Sequence, residues 1–356
     1  MNSKERVMVA VSREKPDRTP CNFHGTKVVC DRLFQHYALA DYRDLMDVLG
    51  VDMIDIRGIV DPIWKGPIPK TIRLSNGVMQ NYLGWQTKVV KTAYGPVEEH
   101  CGYIFANVNS LEQLVEVDFR WPQVGWFDFS HMSRELSKYK SYGIVASGAS
   151  VFQHPTLVRK MDNLLADMLV APEIANYLFD RFTDFYVEYF DTMFSQTKGQ
   201  IDILRIADDM GMQDGPLISL ELFQEFMSPR IRRLTEMAHS HGVKVMFHSC
   251  GSILQFIDEL VDCGVDILDP IQTRAKDMEP ERVKEKCRGR ICMHGSVDTQ
   301  YTLPMGTISE IEQEVKTRIE VLGDEGGFII APSHTLQPDV PLGNVIALYE
   351  AIRRYG

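Results

Sequence analysis

The chain has 356 residues, and its 49 Asp and Glu outnumber its 38 Lys and Arg, so the formal net charge is −11. This acidic balance argues against a nucleic-acid binder, which needs a basic face to displace counterions. A content of 44% hydrophobic and 24% charged residues is typical of a folded globular protein, and no apolar run approaches the roughly 20 residues of a membrane span.

Short apolar runs bounded by polar residues recur along the chain and predict buried parallel strands. The predicted strands are residues 19–23, 52–57, 143–147, 201–207, 243–247, 265–268, 290–293 and 327–331. Between them a 3.6-residue apolar period predicts helices, the clearest at residues 172–197, 220–241, 253–263 and 308–322. Eight strands with intervening helices favour a (β/α)8 TIM barrel over an open doubly wound sheet, in a single domain over residues 1–356.

The segment 68–103 departs from this alternation. It holds Gly77, Gly84 and Gly95 among residues that favour strands, and it has little helical periodicity. We interpret it as a β-rich antiparallel excursion inserted after the second strand, placed as a lid over the barrel mouth.

Polar residues crowd the positions that follow the predicted strands. In a TIM barrel the strands' carboxyl ends form the active-site face, and five of the eight predicted ends are followed by one of only ten histidines. Asp208 and Asp209 are candidates for acid–base catalysis, metal binding or substrate anchoring; the alternative is a helix N-cap. Further candidates at these ends are His24, Gln153 and Gln272 for substrate binding and His294 for catalysis or a hydrogen-bonded network.

His248 and Cys250 make the sharpest pattern, because residues two apart on an extended segment point the same way. Imidazole nitrogen and thiolate sulfur are both good zinc ligands. His334, at the end of the last predicted strand, can supply a third ligand and leave a fourth position open, as in catalytic zinc sites. The alternative is that His248 is hydrogen-bonded in a pocket and Cys250 packs.

The cysteine pattern bears on the compartment. The seven cysteines are odd in number and include no Cys-x-x-Cys pair, so a reducing cytoplasm is favoured over a disulfide framework. The first twenty residues also lack the apolar core of a secretory signal. We therefore expect a cytoplasmic protein that binds neither membrane nor nucleic acid.

Several motifs together resemble the uroporphyrinogen decarboxylase superfamily over essentially the whole chain. They are the opening residues 2–7 with 16–20, the segments 247–251, 264–272 and 294–300, and the tail segments 326–329, 331–334 and 341–344. The resemblance implies a (β/α)8 barrel, in agreement with the strand count.

The superfamily contains at least two activities, and the residues favour one of them. Decarboxylases are cofactor-free and carry an Arg-Gln-Ala-Gly-Arg segment after the first strand, whereas residues 21–26 here contain no arginine; Asp55 matches the decarboxylase carboxylate. The other branch comprises zinc methyltransferases that work with corrinoid proteins. Its His-x-Cys ligands match His248 and Cys250, while His334 stands where that branch has a later cysteine.

The resemblance therefore implies a zinc methyltransferase that moves a methyl group between a small thiol, methyl ether or methylamine and the cobalamin of a separate corrinoid protein. Asp208, Asp209 and Gln272 would position the substrate, and His294 would move a proton. A metal-free decarboxylase acting on a tetrapyrrole and a non-catalytic binding barrel are the alternatives. The direction of transfer and the oligomeric state, a homodimer included, stay open.

Overall fold

The computed structural model describes residues 1–92 and 95–356, and strands alternate with helices over most of this length. Within the described residues the strands are β1 Met53–Asp55, β2 Ile63–Trp64, β3 Thr71–Arg73, β4 Met79–Asn81, β5 Gln86–Thr92, β6 Gly95–Gly102, β7 Phe127–Asp128, β8 Gly143–Ala149, β9 Ile203–Ala207, β10 Lys244–His248, β11 Ile267–Ile271, β12 Cys292–Val297 and β13 Phe328–Pro332.

The helices pack against the larger sheet and share the apolar core with the strands and connecting segments. In chain order they are α1 Ser3–Val11, α2 Lys27–Tyr37, α3 Tyr42–Leu49, α4 Leu111–Glu116, α5 Met132–Leu136, α6 Gln153–Arg159, α7 Met161–Val170, α8 Pro172–Thr197, α9 Leu220–Leu222, α10 Ser228–Ser240, α11 Ile257–Asp262, α12 Pro280–Cys287, α13 Thr302–Met305, α14 Ile308–Leu322 and α15 Leu342–Tyr355. No helix among the described residues is both long and apolar enough to cross a bilayer.

Seven parallel strands form the central sheet in the order β1-β8-β9-β10-β11-β12-β13, which confirms the α/β class and seven of the predicted strand positions. The eighth predicted strand, 19–23, is reduced to a parallel bridge between Cys21 and Ile330. Its backbone nevertheless reaches both edges, since Asn22 N donates to Ile330 O at 3.0 Å and Asp52 N donates to Cys21 O at 2.9 Å. This short segment therefore links the two ends of the sheet.

One layer of apolar side chains fills the sheet interior. It takes one residue from each strand of the central sheet and is completed by Val7, Ala10 and Val11 of α1; the strand residues are Met53, Val145, Ile203, Met246, Ile267, Cys292 and Ile329. Because side chains alternate along a strand with period two, the residue two positions later faces the same interior. On six of the seven strands that residue is polar: Asp55, Ser147, Arg205, His248, Asp269 and His294.

The helix predictions are confirmed with two differences, one of which is that the predicted helix 253–263 begins as a 3-10 turn, Leu254–Phe256, and is α-helical only over Ile257–Asp262. Helices α8 and α14 have the predicted bounds, but the predicted helix 220–241 is interrupted by a π-helical turn, Phe223–Met227. Pro229, just after that turn, has no N–H to donate within the helix, and a wider turn accommodates its ring. Ser228 Oγ donates to Phe223 O at 3.4 Å across the turn.

The segment 68–103 contains four antiparallel strands in the order β3-β4-β5-β6. Within this segment, Ala93 and Tyr94 lie outside the described residues. A separate two-stranded pair joins β2 to β7. Tyr82 packs against Phe127 with ring centroids 5.5 Å apart, and Trp85 packs against His154 at 4.5 Å. The connection between β4 and β5 therefore lies against β7 and the first turn of α6.

The interior apolar layer makes a testable contribution to stability. Replacing the fully buried Ile267 by alanine leaves a cavity in a close-packed layer, so we expect the free energy of unfolding to fall by about 2–5 kcal/mol. Leu169→Ala, at a residue 69% exposed, should change it by less than about 0.5 kcal/mol. Urea unfolding monitored by circular dichroism measures both values. Equal effects would contradict the assigned interior layer.

Candidate metal centre at the barrel mouth

Three potential ligands converge at the carboxyl ends of β9 and β10. Single ligand atoms of Asp209, His248 and Cys250 all lie within 4.8 Å of one another. Cys250 Sγ is 3.6 Å from His248 Nε2, and that Nε2 is 3.7 Å from Asp209 Oδ1. Carboxylate, imidazole and thiol together make a donor set suited to Zn²⁺.

Two glycines let the loops that carry these ligands approach each other. A Cβ at Gly211 would lie 2.6 Å from the carbonyl oxygen of Cys250, and one at Gly251 would lie 2.4 Å from the carbonyl carbon of Gly211. Gly251 also has a φ of +84°, which L-residues with side chains rarely adopt. Backbone contact without side chains thus holds Asp209 beside Cys250, whose N–H donates to Asp209 Oδ1 at 2.9 Å.

Asp269 lies behind His248 and fixes its ring. His248 Nδ1 is 2.8 Å from Asp269 Oδ2, so a protonated Nδ1 donates to the carboxylate and leaves the lone pair of Nε2 for a metal. This arrangement is the usual outer support of a metal-bound histidine. Arg205 Nη2 lies 2.7 Å from the same Nδ1, and Arg205 Nε donates to Asp269 Oδ2 at 3.0 Å. Nδ1 cannot serve both partners at once, and the metal-binding form is the one that donates to Asp269.

The other oxygen of Asp269 extends the network to two further histidines. His294 Nδ1 lies 2.7 Å from Asp269 Oδ1, and Asn22 Nδ2 lies 3.1 Å from His294 Nε2 and 3.1 Å from His24 Nε2. Burial, with a smaller effect of Arg205, lowers the pKa of His24 to about 3. His24 is therefore neutral at pH 7, and His294 is buried with both ring nitrogens occupied.

Buried charge in this network is compensated. Burial alone would raise the pKa of Asp269, but Arg205, His294 and His248 hold it well below its usual range. Burial, followed by the charges of Asp209 and Asp269, raises the pKa of the Cys250 thiol to about 12. The pocket around Cys250 thus carries an excess of negative charge, and a divalent cation would neutralise that charge and bind the thiolate.

The two adjacent aspartates face opposite directions, as neighbours on an extended segment do. Asp208 turns away from Asp209 and accepts hydrogen bonds from Ser150 Oγ at 2.5 Å and from the backbone N–H groups that lead into α6, Gln153 among them at 2.8 Å. Despite these bonds, burial raises the pKa of Asp208 to about 6. Asp208 therefore holds the start of α6, and Gln153 meets it through its backbone.

The remaining predicted site residues lie around the centre. His334 is exposed, and its ring centroid is 6.3 Å from that of His248. Gln272 Oε1 accepts from Gly251 N at 2.8 Å and so supports the Cys250 loop. Asp55 accepts from the backbone N–H of Arg57 at 2.9 Å, and burial raises its pKa.

Sequence reasoning missed the roles of Arg205, Asp269 and Asn22, which link the histidines. A signal was present for the first two. Each stands two residues after an inward apolar residue, Ile203 or Ile267, and the period of a strand places it in the next interior layer. Asn22 offers no such signal. Its segment forms a single bridge and not a regular strand, so the two-residue period of a strand does not place its side chain.

Comparisons with known proteins agree with this architecture. The sequence model of the uroporphyrinogen decarboxylase (URO-D) family matches residues 136–355. A methyltransferase structure from Methanosarcina mazei superposes with a TM-score of 0.71 at 17% identity, covering 100% of this chain and 99% of the other, which establishes a shared fold.

Two curated relatives match shorter stretches. The methylcobamide:CoM methyltransferase MtaA of Methanosarcina barkeri is 27% identical over 155 residues, 43% of this chain and 42% of the relative. The uroporphyrinogen decarboxylase of Mannheimia succiniciproducens is 23% identical over 202 residues, 56% of this chain and 52% of the relative. The chain thus spans about half or less of the length of these relatives.

The glycine contact yields a prediction about metal affinity. In Gly211→Ala the new methyl group must displace the Cys250–Gly251 backbone, so Asp209 and Cys250 move apart and zinc affinity should fall by more than about tenfold. Gly215→Ala, in the same loop with nothing within 4 Å of its Cβ, is the matched control. Titration of the metal-free proteins with zinc against a chromogenic chelator measures both. Equal affinities in the two variants would contradict the role of this contact.

Proposed function

The chain belongs to the uroporphyrinogen decarboxylase family, and within that family we propose that it is a zinc-dependent methyltransferase acting between a small substrate and the cobalamin of a separate corrinoid protein. The observation that carries the proposal is the cluster of Asp209, His248 and Cys250 with Asp269 behind the imidazole. The methylcobamide-dependent activity named for the Methanosarcina barkeri relative supports the same assignment.

The donor set fits a catalytic rather than a structural zinc site, because three protein ligands leave a position for substrate. Zinc bound there would lower the pKa of a substrate thiol, or act as a Lewis acid on the heteroatom of a methyl ether or methylamine. Asp269 and Arg205 keep the His248 ring aligned, and Gln272 keeps the Cys250 loop in place.

We assign His294 to positioning. The resemblance predicts proton transfer for this residue, but its side chain is 1% exposed and its two ring nitrogens contact Asp269 and Asn22. It therefore holds the carboxylate that orients His248. Asp209 is the better candidate for contact with substrate or metal, because its side chain is 43% exposed, whereas Asp208 is committed to the α6 connection.

The third ligand has two candidates. Asp209 lies within the cluster, whereas His334 stands beside His248 at the mouth. We propose Asp209 as the third ligand, with His334 facing the substrate side. A separate corrinoid protein would then dock at this open face.

The first test is the metal itself. We expect about one zinc per chain, and His248→Ala or Cys250→Ala should lose the zinc and lower methyl transfer between free methylcobalamin and a thiol by more than about 100-fold. Zinc content by mass spectrometry and cobalamin absorbance measure the two quantities. His36→Ala and Cys101→Ala, at exposed sites, are the controls. Metal-free protein that decarboxylates a porphyrinogen would contradict the proposal and favour the decarboxylase alternative.

The second test separates the candidate third ligands. Asp209→Ala should weaken zinc binding by more than about tenfold, whereas His334→Ala should retain one zinc per chain and near-unchanged affinity. Competition titration with a chelator of known affinity gives both values. The reverse pattern would transfer the third ligand to His334, and loss in neither variant would contradict a three-ligand site.

A further inference from the structure

A cavity of about 560 Å³ lies between the carboxyl ends of β1 and β8, helix α8 and the four-stranded sheet. This volume is in the range of small-molecule sites. Its walls include Arg57 just after β1, Ser147 of β8, Trp85 between β4 and β5, and Tyr186 of α8. The three candidate zinc ligands are not among the described wall residues, so the cavity is distinct from the metal centre.

Aromatic side chains make up much of this wall. The ring centroid of Tyr189 lies 5.0 Å from that of Phe127, in an edge-on arrangement, and 5.6 Å from that of Phe185. His154 contributes a further ring, 4.5 Å from Trp85 and 5.5 Å from Tyr186. Flat rings at these spacings favour stacked and edge-to-face contacts with another aromatic ring, so the walls suit a planar aromatic body.

Two cations line the same cavity. Among the described residues, no hydrogen bond or ion pair reaches the guanidinium of Arg57 or the ammonium of Lys70, although both line the cavity. Asp61, also on the wall, accepts from Gly58 N at 3.0 Å. Burial lowers the pKa of His154 to about 3, so His154 is neutral. A guanidinium that has no side-chain partner in the described part of the chain and that lies beside aromatic walls suits a carboxylate, which it can bind through two parallel hydrogen bonds.

The cavity is adjacent to the metal centre through the polar interior layer. Its wall residue Ser147 pairs in register with Arg205 on the next strand, and Arg205 contacts both His248 and Asp269. A ligand seated against Ser147 is thus one side chain away from the residues that orient His248.

We propose that this cavity binds an aromatic carboxylate, with Arg57 pairing the carboxylate and the ring lying among Trp85, Tyr186 and Tyr189. On the proposed function, this compound class is the small methyl-bearing or methyl-accepting substrate, and the identification as substrate rests on that function. The binding itself does not depend on zinc or on turnover.

Calorimetric titration with benzoate tests the binding, because benzoate has no methyl group to transfer. We expect saturable binding to the zinc-loaded protein with a Kd below about 1 mM. Arg57→Met should weaken benzoate at least about tenfold, the loss expected for a charge-assisted pair, and should leave benzyl alcohol unaffected. Arg57→Lys should recover part of the affinity. Arg73→Met, an exposed arginine of β3 outside the cavity wall, is the matched control.

Two further ligands test the aromatic and anionic requirements. Cyclohexanecarboxylate should bind at least about fivefold more weakly than benzoate, since it lacks the ring face, and trimethylglycine should not compete with benzoate. Tighter binding of trimethylglycine would assign the aromatic walls to a quaternary ammonium group instead and overturn the proposal, as would absence of saturable benzoate binding.

Two variants with opposite expected effects on zinc content and benzoate affinity separate this inference from the proposed function. His248→Ala should lose zinc and keep benzoate affinity within about twofold, whereas Arg57→Met should keep zinc and lose benzoate affinity. Methyl transfer without benzoate binding would refute the inference and leave the transferase standing. Benzoate binding in a protein that holds no zinc and transfers no methyl group would refute the transferase and uphold the cavity as a binding site.

Discussion

The alternation of side chains along the parallel strands determines which layers of the sheet interior are apolar and which are polar. One inward residue per strand is apolar, from Met53 to Ile329, and α1 seals that layer from below. The next inward residue is polar on six of the seven strands, among them Arg205, His248 and Asp269. A packed apolar layer thus supports a polar layer at the mouth, where the protein can hold charged groups in fixed positions.

Polar groups so placed need partners, because an unpaired buried charge is costly. Asp269 meets this need by accepting from Arg205 and by contacting one ring nitrogen of His248 and one of His294. The carboxylate remains ionised, and His248 keeps one nitrogen directed toward Cys250. The paired network is a precondition for a metal centre whose ligands are aligned before the metal binds.

The two proposals divide the mouth into two parts. Under the first proposal, zinc held by Asp209, His248 and Cys250 would supply electrophilic chemistry. Under the second, the aromatic cavity beyond Ser147 would hold the body of a substrate. Arg205 lies between them and contacts the first while pairing in register with the wall of the second. Such a division resembles other enzymes in which binding energy from a remote substrate part orients the reacting group.

The sequence by itself determined the α/β class, the seven strand positions of the central sheet and the His-x-Cys pair, because continuous apolar runs and two-residue spacing are local properties. It also located Asp209 among the polar residues at strand ends. Only the tertiary structure distinguished Asp209, which joins the ligand cluster, from Asp208, which holds α6, and only it joined Asn22 to two histidines. These assignments depend on which loops meet across the barrel, as Gly211 meets Gly251. Contacts between residues distant in the chain leave no periodic trace in the sequence.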